Sequence, residues 1–258
     1  MLNKRLVGVV TVRNGWAVQS IGYRRYLPLG RPEIACQNLD RWGADEIVLQ
    51  VIDRSTNGSG PHLALLERVA TQRLSTPLIY GGGIRNANDA VAVIAAGADR
   101  VLVDAMVFDD PGAMPAIAER LGSQAVIAAL PVSAGPDGGV LHLNYRTGDS
   151  HRLSSATVEA ISSGSVAEVL IIDWQNEGKA GGFDERLLDQ LAHLKVDAIA
   201  FGGLSEAAQL RRVLQRDHVA AAAVGNFLCY REHAIRKLKL ELGGLPLRAP
   251  PHHRTSPP

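Results

Sequence analysis

Glycines that could bind phosphate recur at several places in the sequence. Glycine lets backbone amides approach an anion closely, and a following helix adds a dipole that favours negative charge. Any one glycine pair also fits an ordinary turn. Their recurrence at equivalent places in two halves of the chain favours a pair of facing phosphate sites. The candidate phosphate-binding residues are Gly82, Gly83, Gly178, Gly202, Gly203, Gly225 and Asn226.

Carboxylates follow three of the predicted strands and could act as general acids or bases. The candidate catalytic residues are Asp53, Asp104 and Asp173, with Glu177 and Lys179 just beyond the third. Each could instead cap a helix or serve a loop. The sequence has no HExxH, paired-cysteine or Walker pattern, so we expect neither a metal nor another cofactor.

Charged residues begin four of the predicted strands with alternating sign: Arg5, Glu46, Arg100 and Glu168. An isolated buried charge is costly, so charges gathered at one end of a closed barrel must pair with one another. Such a ring either stabilises the fold or serves function, and the residues alone leave both interpretations open.

Short β-branched runs alternate with amphipathic stretches, the pattern of βαβ units with a parallel sheet. Helix caps are predicted at Asn86, Asp184 and Ser205, whose side chains can accept backbone hydrogen bonds. Eight strands are predicted, at residues 5–12, 46–52, 77–80, 100–104, 125–130, 168–173, 198–201 and 220–224.

An internal repeat supports a closed arrangement of these units. Residues 46–53 resemble 168–173, and residues 81–86 resemble 201–206, at an offset of about 120 residues. Four units used twice predict a (β/α)8 TIM barrel of the α/β class with a two-fold half-barrel repeat, which removes exposed sheet edges. A doubly wound open sheet is the alternative, and it explains the repeat less well.

The 258 residues suit one barrel, expected over residues 1–244. Residues 245–258, rich in Pro, His and Arg, predict a disordered tail. Two long segments, 14–32 and 132–153, follow strands and are predicted to lie over the mouth as lids.

Charge and hydropathy exclude several kinds of partner. The 27 Lys and Arg balance 26 Asp and Glu, so no global field attracts nucleic acid or an acidic membrane. No apolar stretch approaches the roughly 20 residues of a spanning helix. With two cysteines and no leader pattern, we expect a cytoplasmic protein.

Several motifs together resemble the HisF family, the cyclase subunit of imidazole glycerol phosphate synthase, as far as about Gly244. They lie at residues 1–5, 14–15, 43–46, 81–84, 96–100, 122–124 and 202–203. The resemblance implies a substrate with two phosphates, a HisH-type glutaminase docked at the barrel bottom, and ammonia crossing the barrel axis. It identifies the four charged residues above as the ammonia gate, with arginine at position 100 where the family usually has lysine.

The sequence also departs from the family pattern. The family's two acid/base aspartates correspond to Thr11 and Pro131, and neither side chain can replace a carboxylate. A lysine expected in the first long loop is Gln19. Asp104 brings a negative charge to a phosphate position, where Coulomb repulsion argues against a bisphosphate. The cyclase reaction is therefore doubtful.

Residues 14–22 and 225–233 resemble a divergent branch of HisF-like proteins associated with surface-polysaccharide (lipopolysaccharide) gene clusters. That branch implies ammonia delivery from the glutaminase for amidation of a sugar, which is the favoured hypothesis. One alternative is an authentic imidazole glycerol phosphate synthase of histidine biosynthesis, a lyase with relocated acid and base. Another is a non-catalytic scaffold that binds a phosphosugar.

Overall fold

Eight parallel strands close into a barrel in the computed structural model, which describes residues 3–230 and 233–248. Pairing of the last barrel strand with the first, and of the fifth with the sixth, completes the ring. The (β/α)8 barrel is thereby confirmed. In chain order its strands are β1 (Arg5–Arg13), β4 (Glu46–Val51), β5 (Leu78–Gly81), β6 (Arg100–Val103), β7 (Val126–Ala134), β10 (Glu168–Asp173), β11 (Asp197–Phe201) and β12 (Val219–Val224).

Two antiparallel hairpins form the segments expected to cover the mouth. β2 (Trp16–Ile21) and β3 (Arg25–Gly30) extend the sheet from β1. β8 (Val140–Leu143) and β9 (Ser150–Arg152) extend it from β7. Strand β7 is longer than its predicted bounds because its last residues pair with β8.

Helices fill the outer layer. Asn86 caps its helix as predicted, since its side chain accepts from the amide of Asp89 at 3.0 Å. Asp184 precedes the assigned N-cap Glu185, yet its side chain accepts from the amide of Arg186, the first residue of the helix, at 3.1 Å. The Ser205 cap is wrong, because Glu206 occupies that position and the Ser205 hydroxyl accepts from the amide of Gly181 instead. The helices are α1 (Pro32–Arg41), α2 (Ile52–Thr56), α3 (Leu63–Ala70), α4 (Ala87–Ala95), α5 (Met106–Asp109), α6 (Met114–Leu121), α7 (Ser155–Ala160), α8 (Arg186–Leu191), α9 (Ala207–Leu214) and α10 (Ala234–Glu241).

The core has two layers because side chains alternate along each strand. Val7 and Val9 of β1 face the lumen with Leu102, Leu170 and the other members of a smaller apolar cluster. The intervening residues of each strand pack against the helices in a larger cluster. This alternation decides which residues at a strand end can reach the lumen.

The glycine turns of the two half-barrels match each other. This match identifies which strand-end residues of the two halves are equivalent. Gly82 and Gly202 both have positive φ and lie against the carbonyls of Val51 and Asp173, each the last residue of a barrel strand. Asp173 therefore corresponds to Val51. Asp53 is not its equivalent, because Asp53 lies beyond β4 in α2.

Residues 245–248 return to the barrel bottom. Lys4 donates its amide to Pro246 at 2.7 Å and accepts from the amide of Arg248 at 3.0 Å. Residues 245–248 of the predicted tail thus lie against the barrel, while residues 249–258 lie outside the described residues. Within the described chain, no helix combines the length and the apolar character needed to cross a membrane.

Candidate functional site

The predicted ring of charges exists at the bottom of the barrel. Arg5 donates to both carboxylate oxygens of Glu46, at 2.8 and 2.9 Å, and also pairs with Glu168. Arg100 pairs with Glu168 and lies 3.6 Å from Glu46. The four side chains thus form one connected network in which each charge touches two of opposite sign.

The side chains of this ring are nearly buried. Its side chains are between 8 and 14% exposed, so their charges are only weakly screened. Burial alone lowers the pKa of Arg5, but the carboxylates of Glu46 and Glu168 outweigh burial and raise it. Arg5 therefore stays cationic, and the ring is a fixed polar layer beneath an apolar lumen.

Thr11 and Pro131, which the resemblance is expected to place at catalytic positions, lie on opposite strands at the mouth. β1 and β7 are four strands apart in the ring of eight. Thr11 and Pro131 follow the alternation of lumen-facing residues on those strands, and both are buried. The structure thus has a hydroxyl and a pyrrolidine ring at these two places.

The three candidate carboxylates are not brought together as one catalytic group. Asp104 directly follows β6 and continues its alternation, so its side chain faces the lumen. Burial raises the pKa of this carboxyl group. Asp53 lines the mouth and accepts from the amide of Asn14 at 3.1 Å. Asp173 faces away from the lumen and accepts from Asn176 and from the amide of Asp184, each at 2.8 Å, so it organises a loop.

A cavity of about 470 Å³ opens at the mouth between the two hairpins. The carboxylates of Asp53 and Asp104 line it, together with the aromatic residues Tyr23, Tyr145 and Trp174. Two of these aromatic residues come from segments that the sequence identified only as lids. Their spacing within those loops gave no signal of which side chains turn inward.

The candidate phosphate-binding glycines differ between the halves. In the first half, Gly82 lies against Val51, and the amide of Gly83 donates to the Ser55 hydroxyl at 2.9 Å. In the second half, Gly203 lines an open cavity of about 200 Å³, and Gly202 lies against the backbone of Asp173. The other residues lining that cavity include Gly178, Lys179, Gly225 and Asn226.

Two side chains that line this second cavity, those of Asn226 and Glu177, also bind the first hairpin. Asn226 bonds both the amide and the carbonyl of Ser20. Buried Glu177 accepts from the Ser20 hydroxyl at 2.9 Å and from the amide of Tyr23 at 3.3 Å. Burial raises the pKa of Glu177 to about 7. The sequence identified Glu177 as a candidate but did not predict this contact. Its partners lie in the first lid segment, more than 150 positions away.

Among the residues whose placement is described, no group of three His, Cys, Asp or Glu side chains could hold a metal ion.

Comparisons with known proteins match nearly the whole chain. The family described as "Histidine biosynthesis protein" matches residues 5–234. A protein named "Imidazole glycerol phosphate synthase subunit HisF" from Acidobacterium capsulatum is 29% identical over 97% of this chain and 100% of its own length. Proteins of the same name from Lacticaseibacillus paracasei and Natranaerobius thermophilus are 29 and 25% identical, over 94 and 93% of this chain and 97 and 95% of their own lengths.

Proposed function

Because the chain belongs to the histidine biosynthesis protein family, and within it to the HisF family, we propose that it is the synthase subunit of a glutamine amidotransferase complex. A HisH-type glutaminase docks at the barrel bottom and releases ammonia there. The ammonia crosses the barrel to an acceptor at the mouth. The observation that carries this proposal is the buried ring of Arg5, Glu46, Arg100 and Glu168.

The lumen supports such a route chemically. Above the ring its wall is apolar and includes the small side chains of Ala129, Ala221 and Ala223. Ammonia is small and neutral, whereas transferring ammonium into such surroundings would carry the cost of burying a charge. An apolar lumen behind a charged ring therefore favours passage of the neutral molecule.

The mouth supports amidation of an acceptor over cyclisation. A threonine hydroxyl stays protonated near neutral pH and proline has no titratable side chain, so Thr11 and Pro131 cannot supply acid–base chemistry. The resemblance of residues 14–22 and 225–233 to the HisF-like branch of surface-polysaccharide clusters supports a sugar as acceptor. With glutamine as the ammonia donor, we place the complex in the cytoplasm.

The second candidate is an authentic cyclase with a relocated acid or base. Asp104 favours it, because this carboxylate follows the lumen-facing alternation at a strand end and burial raises its pKa. A carboxyl group with a raised pKa suits proton transfer near neutral pH.

One preparation tests both candidates. The HisH-type glutaminase of the same organism is assayed for glutamine hydrolysis alone and with an equimolar amount of this chain. We expect a stimulation of about tenfold or more, equivalent to roughly 1.4 kcal/mol of barrier. An unchanged rate would contradict the proposal. The chain is also supplied with ammonia and the cyclase substrate, where we expect no turnover. Turnover that Asp104→Asn abolishes would instead establish the second candidate.

A further inference from the structure

Two carboxylates at the mouth lack a counter-charge. One oxygen of Asp53 accepts from the amide of Asn14 at 3.1 Å, and one oxygen of Asp104 accepts from the Ser55 hydroxyl at 2.5 Å. The second oxygen of each carboxylate is buried and has no hydrogen-bond partner among the described residues. Within the same residues, no lysine, arginine or histidine forms an ion pair with either carboxylate. Buried charges are nearly always paired, so the missing cation points to a ligand.

Both carboxylates line one cavity, the mouth cavity of about 470 Å³, together with the aromatic residues Tyr23, Tyr145 and Trp174. Asp104 and Trp174 are only 9 and 8% exposed, and the indole N–H of Trp174 has no acceptor within the described structure. A cation is attracted both by a carboxylate and by the face of an aromatic ring. This combination therefore suits an organic ammonium group, and the indole N–H suits an oxygen of the same ligand.

The two arginines that also line this cavity do not supply the missing charge. The guanidinium of Arg24 lies 5.5 Å from the ring centre of Trp174, and that of Arg13 lies 4.3 Å from the ring centre of Tyr26. Both arginines are exposed, so water screens their charges more strongly than it screens the buried carboxylate of Asp104. The buried part of the cavity is therefore anionic.

We propose that the mouth cavity binds an amino sugar, with its ammonium group beside Asp53 and Asp104 and one of its oxygens accepting from the indole of Trp174. This inference rests on the proposed function in taking the mouth as the place of the acceptor. A neutral sugar can make similar hydrogen bonds, but only a cation supplies the missing charge. A bound ammonium group also offsets the burial that raises the pKa of Asp104. The cavity volume lies within the roughly 300–1,000 Å³ of small-molecule sites.

The test is calorimetric binding to the purified chain without glutaminase, at pH 7 and low ionic strength. The probes are glucosamine and glucose, which differ only in carrying an ammonium group or a hydroxyl at one carbon. We expect glucosamine to bind about tenfold tighter or more. Asp104→Asn retains an acceptor for Ser55 and removes the charge, so glucosamine binding should weaken about tenfold while glucose binding changes little.

Asp137→Asn is the matched control, because it removes the same charge from an exposed turn of the second hairpin. We expect it to leave both affinities unchanged. Equal or tighter binding of glucose to the wild-type chain would overturn the inference, and so would failure of both sugars to bind. The wild-type comparison needs no variant, so a folding defect in Asp104→Asn leaves the test intact. Because glutaminase is absent, failure here is distinguishable from failure of the ammonia proposal.

Discussion

At the residue scale, Glu177 combines burial with contacts to a segment over the mouth. It is 2% exposed, and burial raises its pKa from 4.5 to about 7. The native state therefore holds a proton that the unfolded chain loses at lower pH. Its contribution to stability is fully present below about pH 4.5 and is lost as the pH rises through about 7.

We predict that Glu177→Gln removes this dependence, because glutamine is neutral at every pH and can still accept from Ser20. Relative to wild type, the variant should gain on the order of 2–3 kcal/mol in free energy of unfolding between pH 4.5 and pH 8. Urea denaturation of both proteins across that range measures the difference. Glu67→Gln, at an exposed position of α3, is the control. A constant difference between variant and wild type would show that Glu177 does not titrate in this window.

The role of a residue could be predicted only where it depends on the position of that residue in its own strand. Arg5 and Glu46 begin barrel strands, so their place in the ring follows from the alternation of charge with strand order. The roles of Asp173 and Ser55 could not be predicted. Asp173 faces the helix layer because of where its strand ends, and Ser55 bonds Gly83 and Asp104 through a fold that joins distant segments.

At the element scale, the glycine turns after β5 and β11 fix how each strand meets the loop before it. A Cβ at Gly82 would lie 2.2 Å from the carbonyl oxygen of Val51, at a φ of +124°. We therefore predict that Gly82→Ala lowers the free energy of unfolding by about 2 kcal/mol or more. Guanidinium denaturation measures it.

Gly164→Ala separates steric contact from backbone strain. Gly164 has a left-handed backbone, with φ +85° and ψ +7°, and no atom of the described residues is found within 4 Å of its Cβ position. We expect a cost of about 1 kcal/mol there, from the left-handed backbone alone. Equal losses at the two positions would mean that the close approach to Val51 contributes nothing.

Strands and helix caps could be predicted where the local sequence pattern determines the structure. They could not be predicted where pairing between distant segments determines it. The barrel strands and the Asn86 cap follow from alternation and from a side chain that bonds its own helix. The hairpins β2–β3 and β8–β9 were predicted only as loops, because their pairing with β1 and β7 depends on the closed barrel. Ser205 failed as a cap because Gly181, far along the chain, engages its hydroxyl.

At the scale of the whole molecule, the barrel separates two kinds of polar site by an apolar lumen. The ring at the bottom is internally paired, whereas the cavity at the mouth has polar atoms left for a ligand. This asymmetry suits a protein that receives a small neutral molecule at one end and meets a larger polar one at the other. The family accounts for the scaffold, and under the proposed function the mouth meets the acceptor of the ammonia.

The most direct test of the ring's role is glutamine hydrolysis by the HisH-type glutaminase in complex with wild type, Glu46→Gln or Glu33→Gln. Glu33 also pairs with an arginine, Arg68, but in the outer helix layer. Glu46→Gln neutralises one carboxylate of the ring, so we predict that stimulation falls about fivefold or more, roughly 1 kcal/mol, while Glu33→Gln behaves as wild type. Thermal denaturation confirms that each variant is folded at the assay temperature. Undiminished stimulation with folded Glu46→Gln would contradict this account and leave the ring a stabilising network.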